Sequence, residues 1–440
     1  MLYFKLNNKI REYSMIKVLT LTMVSISLLS ATTINELINS GLANNTIIKK
    51  NKLQIELIEA KKKESRAKKF GEVDIVGSYT HYNLPRTLAP IVPSAISPNS
   101  SIETTQDLFT TAIQYTVPLF TGGALEQQIT IDKLSKTIFK IRAKLSREEL
   151  IYNIRSLYLS GLSLQRLISS QNGYIEALIN LKDIISKGVK FGKKAKIDLI
   201  KAESAIEDAK GKLTQMESSL KMVKSTLIAS THIDHIDYLE PISVDINQNG
   251  IDSINEENLN NLNRFKLQDL EISKGDKIIS KVKASKKPQV ALNSYFGYNY
   301  DIDNSLNQER LWQVGVNLKW NIFDFKLTSA KIEQAKIAKL QAVVQKEEVT
   351  ESFKKLLAKA INKIETAIAN YNSYSSNLNL LHESQKIEEA RYSAGVATLN
   401  DLLLAKAKTE LTKSKLIESQ YQYQNGVYYL DYLLEKGEER

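Results

Sequence analysis

The strongest constraint on this chain is one pattern stated twice, 203 residues apart. An alternating run closes on Pro118-Leu119-Phe120-Thr121-Gly122-Gly123, and a second closes on Asn321-Ile322-Phe323-Asp324-Phe325-Lys326. Seventy-eight residues after Phe120 and Phe323 stand Asp198 and Asp401, each six residues past a glycine, Gly192 and Gly395. Leucine follows each aspartate, and alanine stands four positions on at Ala202 and Ala405. Halves that keep their spacing without an insertion indicate one structural unit duplicated.

The distribution of proline shows what the unit contains. The seven prolines lie at 85, 90, 93, 98, 118, 241 and 288, so 119–240 and everything after 288 are free of proline. Both stretches are rich in Ala, Leu, Lys, Glu and Gln, which favour helix. Leu327 to Tyr392 has no glycine either, and at ~1.5 Å per residue it predicts a helix on the order of 100 Å long. Small residues recur near heptad spacing at Ala330, Ala335, Ala338 and Ala342 with charges between them. That is a packing seam for neighbouring helices and too polar for lipid.

The strand candidates have another period. Val73 to Tyr82 and Thr110 to Phe120 form one pair; Val290 to Tyr300 and Gln313 to Phe323 form the other. In the last, Val314, Val316, Leu318, Trp320 and Ile322 alternate with Gln313, Gly315, Asn317, Lys319 and Asn321. Strands of about 10 residues suit a tilted crossing of a bilayer. Trp312, Trp320, Tyr79 and Tyr298 are the aromatics expected at a membrane interface. Alternation alone does not exclude a soluble sandwich with one wet face. Four strands cannot close a membrane barrel, so the membrane reading requires several copies of the chain.

Composition excludes whole classes. The 440-residue chain has no cysteine, which rules out disulfides, thiolate metal sites and a lipid anchor on cysteine. Basic residues precede the apolar run Val18 to Ala31, which stops at Thr32-Thr33; this is the pattern of an export signal over residues 1–31. The formal charge is +11, of which the first 31 residues carry +3. The lysines alternate with glutamates, as in Glu59-Ala60-Lys61-Lys62-Lys63-Glu64, which describes solvated helix faces and no nucleic-acid partner.

Chemical motifs are poor. Gly188 to Lys194 is one residue short of a phosphate loop and lacks the Ser/Thr after lysine. His232, Asp234, His235 and Asp237 lie just before Pro241 and read as a polar linker. No Gly-x-Ser-x-Gly elbow occurs, so no enzyme, cofactor or metal site is expected.

Over essentially its whole mature length the chain resembles the TolC-like outer membrane efflux proteins. The resemblance rests on the duplicated strand–strand–long-helix plan and the 118–123 turn. Most specific is the run Ala390-Arg391-Tyr392-Ser393-Ala394-Gly395 followed by Thr398-Leu399-Asn400-Asp401-Leu402-Leu403. The helical segments Ile34 to Phe70 and Ile254 to Lys287 also fit the family's repeat. The resemblance implies a mixed α and β fold: a homotrimeric 12-stranded β-barrel in the outer membrane, joined to a periplasmic α-helical barrel. Residues 32–245 would be the first repeat, with strand pair 72–120 and long helices 124–230. Residues 246–440 would be the second, with strand pair 289–323 and long helices 327–435. Pro118, Phe120, Gly122, Gly123 and Phe323 would form the strand-to-helix turns, and Gly192 and Gly395 the helix returns.

The same resemblance implies a periplasmic aperture at Asp198, Asp401 and Tyr392; the alternative is that both aspartates merely cap the returning helices. Ala397 and Leu404 stand where a basic latch residue and a second acidic residue can occur. Lys193, Lys194 and Lys196 are placed to compensate by pairing with carboxylates of the neighbouring repeat. The function implied is a passive exit duct serving an inner-membrane pump through a periplasmic adaptor (membrane fusion) protein, for efflux or type I secretion. The alternative from another class is a periplasmic helical-hairpin adaptor, whose plan does not include two aromatic strand pairs.

Overall fold

The computed structural model describes residues 31–93, 96, 102–246, 259, 261–302 and 307–438. The expected export signal lies almost wholly outside them. The described residues are mostly helical with one small sheet, in the order α1 (Ile34–Asn44), α2 (Thr46–Ala67), β1 (Glu72–Thr87), β2 (Thr104–Phe120), α3 (Ala124–Lys190), α4 (Lys196–Thr231), α5 (Asn263–Ala284), β3 (Gln289–Asp301), β4 (Gln308–Lys319), α6 (Leu327–Ser393) and α7 (Leu399–Leu433). Helices α3 and α6 are each 67 residues long and start 203 residues apart. The segment expected as one helix from Ile34 to Phe70 is broken at Asn45. The Asn45 carboxamide donates to the Ser230 carbonyl at 2.9 Å and accepts from the Ile47 N–H at 2.9 Å, which ends α1 and starts α2.

The chain divides into two compact units. One comprises the described residues of Met1–Ile48, Arg147–Ile254 and Leu356–Arg440. Its core gathers Leu37, Ile154, Tyr158, Leu227 and Leu239, all fully buried. The Tyr158 hydroxyl donates to the Glu240 carbonyl at 2.6 Å, with the Thr32 carbonyl 3.1 Å away. Burial pushes that phenol's pKa well up. The 232–240 segment is thereby held as part of this core: Leu239 fills it, and His235 turns to Asp237 at 2.5 Å.

The other unit comprises Lys49–Ser146 and the described residues of Asn255–Lys355. Its sheet has the order β1-β2-β3-β4, antiparallel throughout. The strands are longer than expected, at 16, 17, 13 and 12 residues. The fourth also lies earlier, at Gln308–Lys319 and not Gln313 to Phe323. The ladder stops because β3 begins at Gln289, whose partner is Lys319. Past that point Trp320 Nε1 donates to the Lys286 carbonyl at 3.0 Å, so the alternation of Trp320 to Phe323 continues without a strand beneath it.

Register separates two faces. Ile75, Ile113, Phe296 and Trp312 form one row across all four strands. Val73, Tyr115, Ser294 and Val314 form the next, continued by Val117, Leu292 and Val316. This side is apolar yet open to its surroundings, with Ile75 83% and Trp312 71% exposed. The reverse side carries Asp74, Gln114, Tyr295 and Gln313 in one row, and Ser78, Thr110, Asn299 and Glu309 in another. Small residues pack tightly there: a Cβ on Gly297 would fall 2.4 Å from Ala112 Cβ.

Candidate functional site

The long helices turn back twice, and the two returns share one hydrogen-bond register. After α3, the N–H groups of Phe191, Gly192 and Lys193 donate to the carbonyls of Lys187, Val189 and Gly188. After α6, Ala394, Gly395 and Val396 donate to Ala390, Tyr392 and Arg391. Every donor and acceptor is displaced by 203 positions. The pattern is a Schellman closure, which needs a left-handed residue just past the helix. Gly192 at φ 70° and Gly395 at φ 79° supply it.

Around these returns a small apolar core collects Leu181, Ile185, Ala202, Leu399 and Leu402 about Tyr392. Tyr392 is 5% exposed. Its hydroxyl has no hydrogen-bond partner. Burial raises its pKa, and the Asp198 carboxylate adds to the rise. Above the ring, Lys194 Nζ stands 3.7 Å from the centroid. The same ammonium donates to the Tyr392 carbonyl at 3.4 Å. Of the three lysines proposed to compensate for the missing basic residue, Lys194 therefore reaches the second half of the chain, but it meets an aromatic face and a carbonyl rather than a carboxylate. Its path requires a glycine beside it, since a Cβ on Gly188 would lie 2.6 Å from Lys194 Cγ.

The two aspartates occupy equivalent third positions of α4 and α7 but do different work. Thr398 caps α7: its hydroxyl accepts from the Asp401 N–H at 3.2 Å, and Asp401 Oδ2 accepts from the Thr398 N–H at 3.0 Å. The Thr398 hydroxyl also donates to Asp401 Oδ2 at 2.7 Å, and this bond, followed by the backbone one, holds the Asp401 pKa below its usual range. In the first half Ala195 stands where Thr398 does and offers no side-chain cap. Asp198 keeps only its backbone bond to the Ala195 carbonyl at 3.0 Å. The Thr-x-x-Asp spacing of a capping box was present in the sequence and points to this role directly. Nearby, Glu389 is partly desolvated, which opposes ionisation, but its hydrogen bond to Lys406 prevails and lowers its pKa.

The strand-to-helix turns repeat in the same way. Gly122 and Gly123 have φ of 66° and 92°; Phe325 and Lys326, 203 positions on, have φ of 49° and 69°. The Leu125 N–H donates to the Thr121 hydroxyl at 3.2 Å, and the Thr328 N–H to Asp324 Oδ2 at 2.9 Å, so the helix caps are also equivalent. Pro118 and Phe120 flank an irregularity in the β2–β3 register. Phe323 stacks edge-on against Phe325 at 4.7 Å. Tyr79 pairs across to Phe109 and donates to Asp107 at 2.5 Å. Tyr298 lies beside Tyr300, Trp312 sits within the apolar rows, and Trp320 lies just past the last ladder pair.

Among the described residues no helix is long and apolar enough to cross a membrane. No group of three or more His, Asp or Glu could hold a metal among them.

Comparison with known proteins agrees with this geometry. A search of curated proteins returned no significant match. Residues 262–434 match the sequence profile of the outer membrane efflux protein family. A membrane protein from Pseudomonas aeruginosa superposes with a TM-score of 0.78 at 17% identity, covering 91% of this chain and 93% of that one. CusC gives 0.78 at 15%, covering 91% of each chain. The outer membrane protein VceC from Vibrio cholerae gives 0.75 at 13%, covering 91% and 95%. The second half of the chain thus matches the outer membrane efflux protein family, and over most of its length the chain shares the fold of these solved structures.

Proposed function

We propose that three copies of this chain assemble into the exit duct of a tripartite efflux system. The observation that carries this is the sheet. It has one continuous apolar face open to its surroundings, a polar reverse face, and two outer strands, β1 and β4, each paired on one side only. In lipid such edges leave backbone groups unsatisfied, at several kcal/mol each. Joining β4 of one copy to β1 of the next, three times over, closes twelve strands with no edge left. The apolar rows then meet lipid and the polar rows line the lumen.

The long helices supply the periplasmic conduit, and residues 1–31 direct export. Solutes pass without covalent chemistry, driven by an inner-membrane pump and delivered through a periplasmic adaptor. The paired returns form the aperture, with Tyr392 at its core and Asp198 and Asp401 beside it. Because Asp401 is committed to capping and Asp198 is not, Asp198 is the carboxylate available for gating. Native mass measurement in mild detergent should give three chains, and planar-bilayer recordings should show discrete conductance. A stable, non-conducting monomer with intact strands would overturn the proposal.

A further inference from the structure

A cavity of about 500 Å³ lies in the unit that contains the sheet, beside the ends of β2 and β3. One face of α2 (Lys61, Glu64, Ser65) with Lys68 just past its end, and one face of α3 (Ala124, Leu125, Gln128, Asp132), line it, together with Pro118 and Lys281. Asp132 is 7% exposed. Its Oδ1 accepts from Gln128 Nε2 at 2.8 Å, and Gln128 Oε1 accepts from Lys281 Nζ at 2.6 Å. Its Oδ2 has no partner. A desolvated carboxylate oxygen left unpaired is costly. A cation reaching that oxygen from the cavity would relieve the cost.

We infer that this cavity binds the headgroup of a phosphoethanolamine phospholipid. Lys61 and Lys281 suit the phosphate, Lys68 being held by Glu64 at 2.7 Å; the unpaired Asp132 oxygen suits a primary ammonium, and Pro118, Ala124 and Leu125 offer an apolar floor. A single charge of either sign satisfies only half of this lining. The lipid source follows from position, since the cavity adjoins strand ends that reach the membrane interface in the proposed assembly, and the inference rests on that assembly.

The test uses the full chain reconstituted in vesicles of equal parts phosphatidylethanolamine, phosphatidylglycerol and phosphatidylcholine with identical acyl chains. Lipid retained after detergent extraction is counted by mass spectrometry. Phosphatidylethanolamine should be enriched over phosphatidylcholine, whose quaternary ammonium has no N–H to donate. Asp132→Asn should lower that enrichment about tenfold, the effect of one charge-assisted hydrogen bond, and leave retained phosphatidylglycerol unchanged. Lys281→Gln should lower both phosphatidylethanolamine and phosphatidylglycerol. Equal retention of all three lipids by the wild type, or an unchanged preference in a correctly assembled Asp132→Asn, would overturn the inference. Vesicle flotation keeps the two claims apart: a chain that fails to insert overturns the membrane assembly, whereas one that inserts without preference overturns the headgroup site alone.

Discussion

Lys194 Nζ lies 3.7 Å from the centroid of the Tyr392 ring and donates to the carbonyl of the same residue. One ammonium thus fastens the return of the first half of the chain to the helix end of the second. A partly desolvated cation–π contact is worth roughly 0.5–2 kcal/mol. Lys194→Met should raise single-channel conductance and shorten closed times in planar bilayers. Gly188→Ala, which displaces the same side chain, should act alike, and the double variant should add little. Conductance identical to wild type in both single variants would refute the fastening role.

The Tyr392 hydroxyl points the other way energetically. It is buried with no partner, so Tyr392→Phe should leave thermal stability unchanged or slightly raised. Tyr392→Ala removes a ring that is almost wholly buried and should cost about 3–5 kcal/mol. Melting curves of the detergent-solubilised protein distinguish the two.

Asp401 carries a pH dependence of known sign. Its folded-state pKa is depressed by the Thr398 hydroxyl and backbone N–H. The stability it contributes is therefore complete above the unfolded pKa and lost as pH falls through the folded value. The gap in melting temperature between wild type and Asp401→Asn should be full at pH 7 and close at acid pH. Asp198→Asn should produce little gap at either pH, because Ala195 provides no matching cap.

That asymmetry invites a gain. Ala195 already has the extended backbone of an N-cap, with φ −78° and ψ 143°. Ala195→Thr should complete a capping box with Asp198 and stabilise α4 by about 0.5–2 kcal/mol. If Asp198 gates by remaining uncommitted, the same variant should also alter closed-state conductance. Calorimetry and bilayer recording together check both halves of this expectation.

The sheet faces are tested near the middle of the rows. Ile113 belongs to the apolar side and its neighbour Gln114 to the polar side. Ile113→Arg should cost roughly 2–4 kcal/mol on transfer to lipid, and Gln114→Arg close to nothing. Folding titrations into vesicles read the difference, and reversal of the order would invert the assignment. Leu318 serves less well, since it pairs one step from the end of the ladder with Val290.

What the sequence disclosed was mostly what glycine and periodicity disclose. Gly192 and Gly395 marked the returns because a Schellman closure favours them, and the unbroken stretch after Leu327 marked α6 to within a residue. The fourth strand was misplaced because Trp320 and Ile322 go on alternating after the partner strand has ended, and alternation does not register the loss of hydrogen bonds. The Lys194–Tyr392 contact joins residues 198 positions apart, where no local pattern could pair them. Capping of the returning helices by both aspartates was legible as the alternative to a gate, and it describes Asp401, with its Thr398 box, but not Asp198, whose helix has Ala195 at that place.

Of the nine described residues with positive φ, all but Gly71 pair off across the duplication: Gly122 with Phe325, Gly123 with Lys326, Gly192 with Gly395, His232 with Glu435. At φ 58° and 57°, His232 and Glu435 agree closely although neither is glycine. Of the four pairs, one has kept glycine in both halves, and two keep it only in the first. Once a turn is fixed by caps such as Thr121 and Asp324, its conformation outlasts the residue that made it easy. The side chains differ in three of the four pairs, yet residue 122 stands as far from residue 232 as their counterparts 325 and 435 stand from each other. Its two halves are thus kept in step by length, as two lines of verse in one metre can share hardly a word.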